Sequence, residues 1–171
     1  MATITLQGTP IHTHGNLPET GKIAPDFTMT RGDLSEIRLH ECFGKTTILN
    51  IFPSLDTPTC AAAMLRFNEI AGLHKDVVVL CVSADLPFSQ KRFCSTEHLE
   101  NVQPVSIFRN PDFGKTYGVQ IVDGPVAGLL ARSIIVIDKQ GKVIHTELVK
   151  ELANEPDYDA VLGLLTSPSQ V

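Results

Sequence analysis

The sequence predicts an α/β fold: a mixed central sheet flanked by helices on both faces, with a β-hairpin added at the N-terminus. Two apolar runs, residues 45–52 and 76–83, have the β-branched content of strands covered on both sides. Each is followed by a segment of helical character, and the order strand, helix, strand, helix, strand, hairpin, helix is that of a layered α/β domain. Crossovers between its parallel strands should be right-handed.

The elements follow in order. Residues 3–7 and 10–14 alternate around Gly8-Thr9, the pattern of a short hairpin. His12 and His14 fall on one face of its second strand and read as polar groups on a solvated face. Residues 15–25 form a polar connection punctuated by Pro and Gly, and short strands are expected at 27–31 and 36–39 around Gly32-Asp33. Cys42 falls in a loop before the first apolar run and reads as structural or incidental, open to off-pathway oxidation.

Residues 45–66, KTTILNIFPSLDTPTCAAAMLR, are the centre of the chain. Pro53 has no N–H and stops the strand. Ser54, Asp56 and Thr57 are turn and cap residues, Pro58 suits a first helical position, and the Ala-rich run after Cys60 is strongly helix-forming. Cys60 therefore stands in the first turn of a helix, beyond the carboxyl end of a central strand. Unpaired N–H groups and the helix dipole favour a thiolate there, the nucleophilic form of the side chain. The helix runs to about Gly72, with Met64, Phe67, Ile70 and Ala71 turned to the core, and Arg66 reads as a surface charge.

Cys81 lies inside the second apolar run as a small buried side chain. Asp85 then caps a second helix, 87–98, which carries Cys94 beside Lys91 and Arg92; those charges would lower the thiol's pKa. A third strand is expected at 104–108 and a short helix at 111–117. A loop surrounds Gly124 and Gly128, and a hairpin takes 133–138 and 142–149. A last helix starts at Pro156 and packs Val161, Leu162 and Leu165. The 171 residues fit one domain, with 1–15 as its hairpin and a loose tail at 167–171.

Composition narrows the function. An apolar fraction of 43% with 19% charged residues suits a soluble globular chain. A net charge of −5 with scattered basic residues argues against nucleic-acid and anionic-membrane binding. With no signal-like start and no apolar stretch of spanning length, a cytoplasmic location is expected. Four cysteines are too few for a disulfide framework and fit a catalytic use in a reducing compartment.

Pro53, Thr57 and Cys60 form P-x-x-x-T-x-x-C, which resembles the active-site signature of the peroxiredoxins. The runs ITLQGTPI, NIFPSLDTPTC, SADLPFSQKRFC, FRNPDFGKTYGV and DGPVAGLLARSIIVID, in this order, resemble the thiol-peroxidase subgroup in particular. The resemblance spans residues 3 to 165. It implies a thioredoxin-like fold, a homodimer, and thiol-dependent reduction of hydrogen peroxide and organic hydroperoxides without a bound cofactor. It implies Cys60 as the attacking thiol and Arg132 as the cation that favours its thiolate. Arg132 just precedes an apolar strand, where burial would require an anionic partner. Thr57 can hold the peroxide in line from one helical turn away, and Pro53 shapes the pocket.

Attack leaves Cys60 as a sulfenic acid, which condenses with a nearby thiol. Of three available thiols, the resemblance assigns resolution to Cys94, an atypical two-cysteine arrangement with an intramolecular disulfide. A disulfide needs Cα atoms within about 7 Å, so if the reduced protein holds these two helical cysteines farther apart, one or both helical turns must unwind locally. No C-x-x-C occurs, so an external reductant is needed, and the resemblance implies thioredoxin. Leu55, Met64 and residues 124–130 are candidates for an apolar mouth.

Other chemistries fit less well. A thioredoxin-type oxidoreductase would need cysteine at position 63, which is Ala63. A Cys–His hydrolase needs a histidine beside Cys60, and nothing in the sequence places His40, His74, His98 or His145 there. Cysteine spacings of 18, 21 and 13 do not suit a structural metal site, and no metal is expected. A redox sensor or holdase on the same scaffold would oxidise without turnover.

Overall fold

The computed structural model describes residues 1–165; the expected loose tail lies outside the described residues. A hairpin of β1 (Thr3–Leu6) and β2 (Thr9–His12) comes first. Two short strands follow, β3 (Thr28–Arg31) and β4 (Glu36–Arg38), then a 3-10 turn at Leu39–Cys42. Next come β5 (Thr46–Ile51), α1 (Pro58–Leu73), β6 (Val77–Ser83) and α2 (Pro87–Thr96). The chain continues through β7 (Gln103–Ser106), α3 (Phe113–Thr116), β8 (Ser133–Ile137), β9 (Val143–Leu148) and α4 (Tyr158–Leu165).

Seven strands form one mixed sheet in the order β4-β3-β7-β6-β5-β8-β9. The two apolar runs lie at its centre as the parallel pair β5 and β6, with Ile48 opposite Val79, and β8 runs antiparallel beside β5. The strand pleat sorts side chains by face. Ile48, Phe52, Val79, Ile134 and Val136 face a core closed by Met64, Phe67 and Ile70 of α1, Phe93 and Cys94 of α2, and Val161 of α4. Leu49, Ile51, Leu80, Val82 and Ile135 face the other core, with Phe27, Phe113 and Tyr117. The fold class expected from the sequence is the one observed, including the N-terminal hairpin.

Element ends differ where local chemistry overrides pattern. Cys42 ends a 3-10 turn, its own side chain buried, instead of lying in an open loop. The second helix stops at Thr96, before His98 with its φ of +56°. The last helix starts at Tyr158, two residues after Pro156, because the Asp157 carboxylate accepts the Ala160 N–H and caps it. Of its three expected packing residues, Val161 and Leu165 are buried and Leu162 is half-buried.

One close approach shapes the loop side of the sheet. At Gly118, φ is +68° and a Cβ would stand 2.0 Å from the Asn16 carbonyl oxygen. Glycine alone fits there. The hairpin is joined to the far edge of the fold by a parallel bridge between Thr5 and Glu151. Ile4, Ile11, Ile121, Ala131 and Leu152 make a third small core beneath it. That core flanks Arg132.

Candidate active site

Thr57 is the N-cap of α1, with extended backbone (φ −102°, ψ 143°) and Pro58 behind it. Its Oγ1 accepts the Cys60 N–H at 3.3 Å and donates to the Ser54 carbonyl at 3.1 Å. Cys60 is thus held in the first turn of α1, and its side chain is fully buried. Arg132 is 2% exposed, an unusual burial for a guanidinium. Its Nη1 donates to Cys60 Sγ at 3.2 Å, across 72 residues of sequence, and its Nε donates to the Leu152 carbonyl at 3.0 Å. A buried cation aimed at a sulfur stabilises negative charge there.

A cleft of about 220 Å³ lies over this centre, walled by Pro53, Thr57, Arg132, Leu6, Val126, Leu129 and Leu152. Residues 124–130 contribute to the mouth as expected from the sequence. Leu55 and Met64 do not: Met64 is fully buried under α1, and Leu55 lies by a separate groove toward α2. Their places are taken by Leu6 and Leu152, which are distant in sequence and which no local pattern could assign.

The sequence points to Asp85 as the cap of α2, and the structure differs. The N-cap is Leu86, without a side-chain bond. The Asp85 carboxylate instead accepts Ser54 Oγ (2.9 Å), the Leu55 N–H (2.9 Å) and Ser83 Oγ (2.7 Å). It therefore holds the turn that precedes α1. Buried Gln90 of α2 donates to Ser83 Oγ at 3.1 Å, so this chain of bonds runs from the Cys60 turn to the helix of Cys94.

Cys94 also departs from expectation. Lys91 and Arg92 do not lower its pKa; burial against the core pushes the thiol up to about 11. Both charges are solvated, and the sulfur side of α2 faces the apolar core. Cys94 borders a second cleft of about 310 Å³, with Arg31, Lys91, Val102 and Gln103, that shares no wall residue with the first. All four cysteines are free thiols. Cys81 is fully buried, its thiol pushed up to about 12 by burial, and burial raises Cys42 as well. Arg66 pairs with Glu69 at 3.2 Å on the surface. His12 Nδ1 meets Asp123 at 2.6 Å rather than pairing with His14.

The Redoxin family model matches residues 19–162. The thiol peroxidases of Mycobacterium bovis and Mycobacterium tuberculosis are each 55% identical over 165 residues, covering 96% of this chain and 99% of theirs. The chain belongs to the thiol peroxidases of the peroxiredoxin family. This peroxiredoxin superposes on a peroxiredoxin-like protein of Aquifex aeolicus with a TM-score of 0.91 at 39% identity, over 96% of each chain. A thiol peroxidase of Chromobacterium violaceum shares the fold at a TM-score of 0.88 and 23% identity, over 98% of this chain and 97% of that one. Family membership makes it a peroxidase of the peroxiredoxin type. Among the described residues no helix is long and apolar enough to cross a membrane.

Proposed function

We propose that the protein reduces hydrogen peroxide and organic hydroperoxides through Cys60, resolves the product with Cys94, and is recycled by thioredoxin. The observation that carries this reading is the buried Arg132 guanidinium 3.2 Å from the Cys60 sulfur. The thiolate attacks one peroxide oxygen as the O–O bond breaks, leaving Cys60 as a sulfenic acid and releasing water or an alcohol after protonation. Arg132 stabilises the charge that moves from sulfur to the leaving oxygen. Thr57, in the cleft wall, can turn its hydroxyl from the Ser54 carbonyl to the bound peroxide, and Pro53 keeps water from the sulfur.

The Cys94 thiolate then attacks the sulfenic sulfur, expelling hydroxide and forming the Cys60–Cys94 disulfide. Cys94 packs against the same core as Cys60, and a groove bordered by Leu55, Asp56, Phe93 and Thr96 separates the turn before α1 from α2. Local unwinding of the first turn of α1 and of α2 lets the sulfurs meet and exposes Cys94 to solvent, where its thiol ionises more readily. A thioredoxin dithiol returns both cysteines to thiols with two electrons. The chain works as one domain, as a cytoplasmic homodimer, and needs neither cofactor nor metal; these follow the family resemblance.

The deciding experiment is intact mass and thiol count after one equivalent of peroxide, on wild type and Cys94→Ser. Wild type should lose two thiols within one chain, and the variant should gain one oxygen on Cys60. An unmodified Cys60 in both would overturn the reading. Oxidation without thioredoxin-driven turnover would indicate a sensor or holdase instead.

A further inference from the structure

Arg132 can serve Cys60 only if its guanidinium is aimed, and the aim is set by a segment far from both. Arg132 Nε donates to the Leu152 carbonyl at 3.0 Å, so the position of residue 152 fixes the fork that reaches the sulfur. Leu152 belongs to an irregular stretch between β9 and α4. A surface carboxylate, Glu151, ties that stretch to the turn of the N-terminal hairpin.

Glu151 accepts four hydrogen bonds. Oε1 takes Thr5 Oγ1 at 2.9 Å and the Gly8 N–H at 3.0 Å; Oε2 takes the Gln7 N–H at 3.2 Å and the Ala153 N–H at 3.0 Å. Three of these donors belong to the β1–β2 hairpin and its turn, and the fourth closes the stretch on itself. The backbone adds Thr5 N–H to the Lys150 carbonyl (2.7 Å) and Leu152 N–H to the Thr5 carbonyl (2.8 Å). Ala153 in turn accepts Thr59 Oγ1 at 2.9 Å, from the first turn of α1 beside Cys60. Leu6 and Gln7 on one side of the carboxylate, and Leu152 and Ala153 on the other, are walls of the Cys60 cleft.

We propose that Glu151 is a positioning residue for the Cys60 centre: by clasping the hairpin turn to residues 152 and 153, it fixes the carbonyl that aims Arg132 at the sulfur. The proposal rests on the reading in which Arg132 acts on Cys60. The N–H donors, Ala153 first, hold the Glu151 carboxyl down at about 2, so the clasp is ionised throughout the neutral range. A carboxylate with four donors specifies one geometry for the hairpin and the 150–153 stretch together. Without it the stretch keeps the two Thr5 backbone bonds and the Thr59 bond but loses its tie to the hairpin turn, and a shift of the Leu152 carbonyl re-aims the guanidinium; small misplacements at a reacting centre cost large factors in rate.

The test is the rate constant for oxidation of Cys60 by hydrogen peroxide, across pH, in wild type, Glu151→Ala, Arg132→Met and the double variant. Glu151→Ala should slow the reaction by about tenfold and move the midpoint of its pH profile upward. In the Arg132→Met background the same change should have no further effect, because Glu151 acts through the guanidinium. A wild-type rate and profile for Glu151→Ala, or an equal slowing in both backgrounds, would overturn the proposal while leaving Arg132 in the mechanism. A wild-type rate for Arg132→Met would overturn both. Should Glu151→Ala fail to fold, Glu151→Gln keeps the side-chain size but turns an amide group toward two of the four donors, and the same expectations apply.

Discussion

Replacing Arg132 with Met removes the charge while keeping much of the buried volume. Arg132 Nη1 stands 3.2 Å from the sulfur, and two unit charges about 4 Å apart interact by about 4 kcal/mol at an effective dielectric constant near 20. That is an upper bound, since charge on the sulfur is partly passed to oxygen in the transition state. Removal of one preorganised donor of this kind costs about 2.7–4 kcal/mol elsewhere, or roughly 10² to 10³ in rate. Arg132→Met should therefore slow Cys60 oxidation by about 10²-fold at neutral pH. The chain has no tryptophan, so quenched flow with mass detection of the oxidised thiol suits the assay better than intrinsic fluorescence. Arg132→Lys keeps a charge but cannot reach both the sulfur and the Leu152 carbonyl, and should fall between the two. An Arg132→Met rate within about threefold of wild type would refute the electrostatic argument.

With its thiol at about 11, Cys94 is about a thousandth ionised at pH 8, against roughly a quarter for a free cysteine, so iodoacetamide should label it about 10²-fold slower in the folded protein. Fast native-state labelling of Cys94, followed by peptide mass, would contradict its burial. The same burial sets a sign for stability: above pH 9 the unfolded thiol ionises first, so stability should fall as pH rises toward 11. Asp85→Ala leaves the Leu55 N–H and two hydroxyls without their acceptor and should cost about 1–3 kcal/mol in urea unfolding. A change below about 0.5 kcal/mol would show that water replaces the carboxylate fully.

Much of the centre was legible because it is local. The apolar run ending at Pro53, the cap at Thr57, Pro58 and the Ala-rich turn together dictate a strand, a bend and a helix with Cys60 at its start. Periodicity also located the core faces of α1, since Met64, Phe67 and Ile70 all point inward. What stayed hidden is set by tertiary neighbours. Asp85 looks like a cap because it precedes Leu-Pro, yet its carboxylate is claimed by Ser54 and Leu55, some 30 residues earlier. The neighbours Lys91 and Arg92 suggested an activated Cys94, but helix phase puts the sulfur on the core side and the charges in water. Nothing in KELANEP marks Glu151, three of whose four donors lie more than 140 residues away.

The two clefts have separate walls. A small molecule lodged in the cleft of Pro53, Thr57 and Arg132 would leave the surface beside Cys94 open, so ligands of the two clefts define distinct chemotypes. The two kinds could occupy one molecule of the resting protein together, and resistance to one through changes in Val126 or Leu129 would leave sensitivity to the other intact.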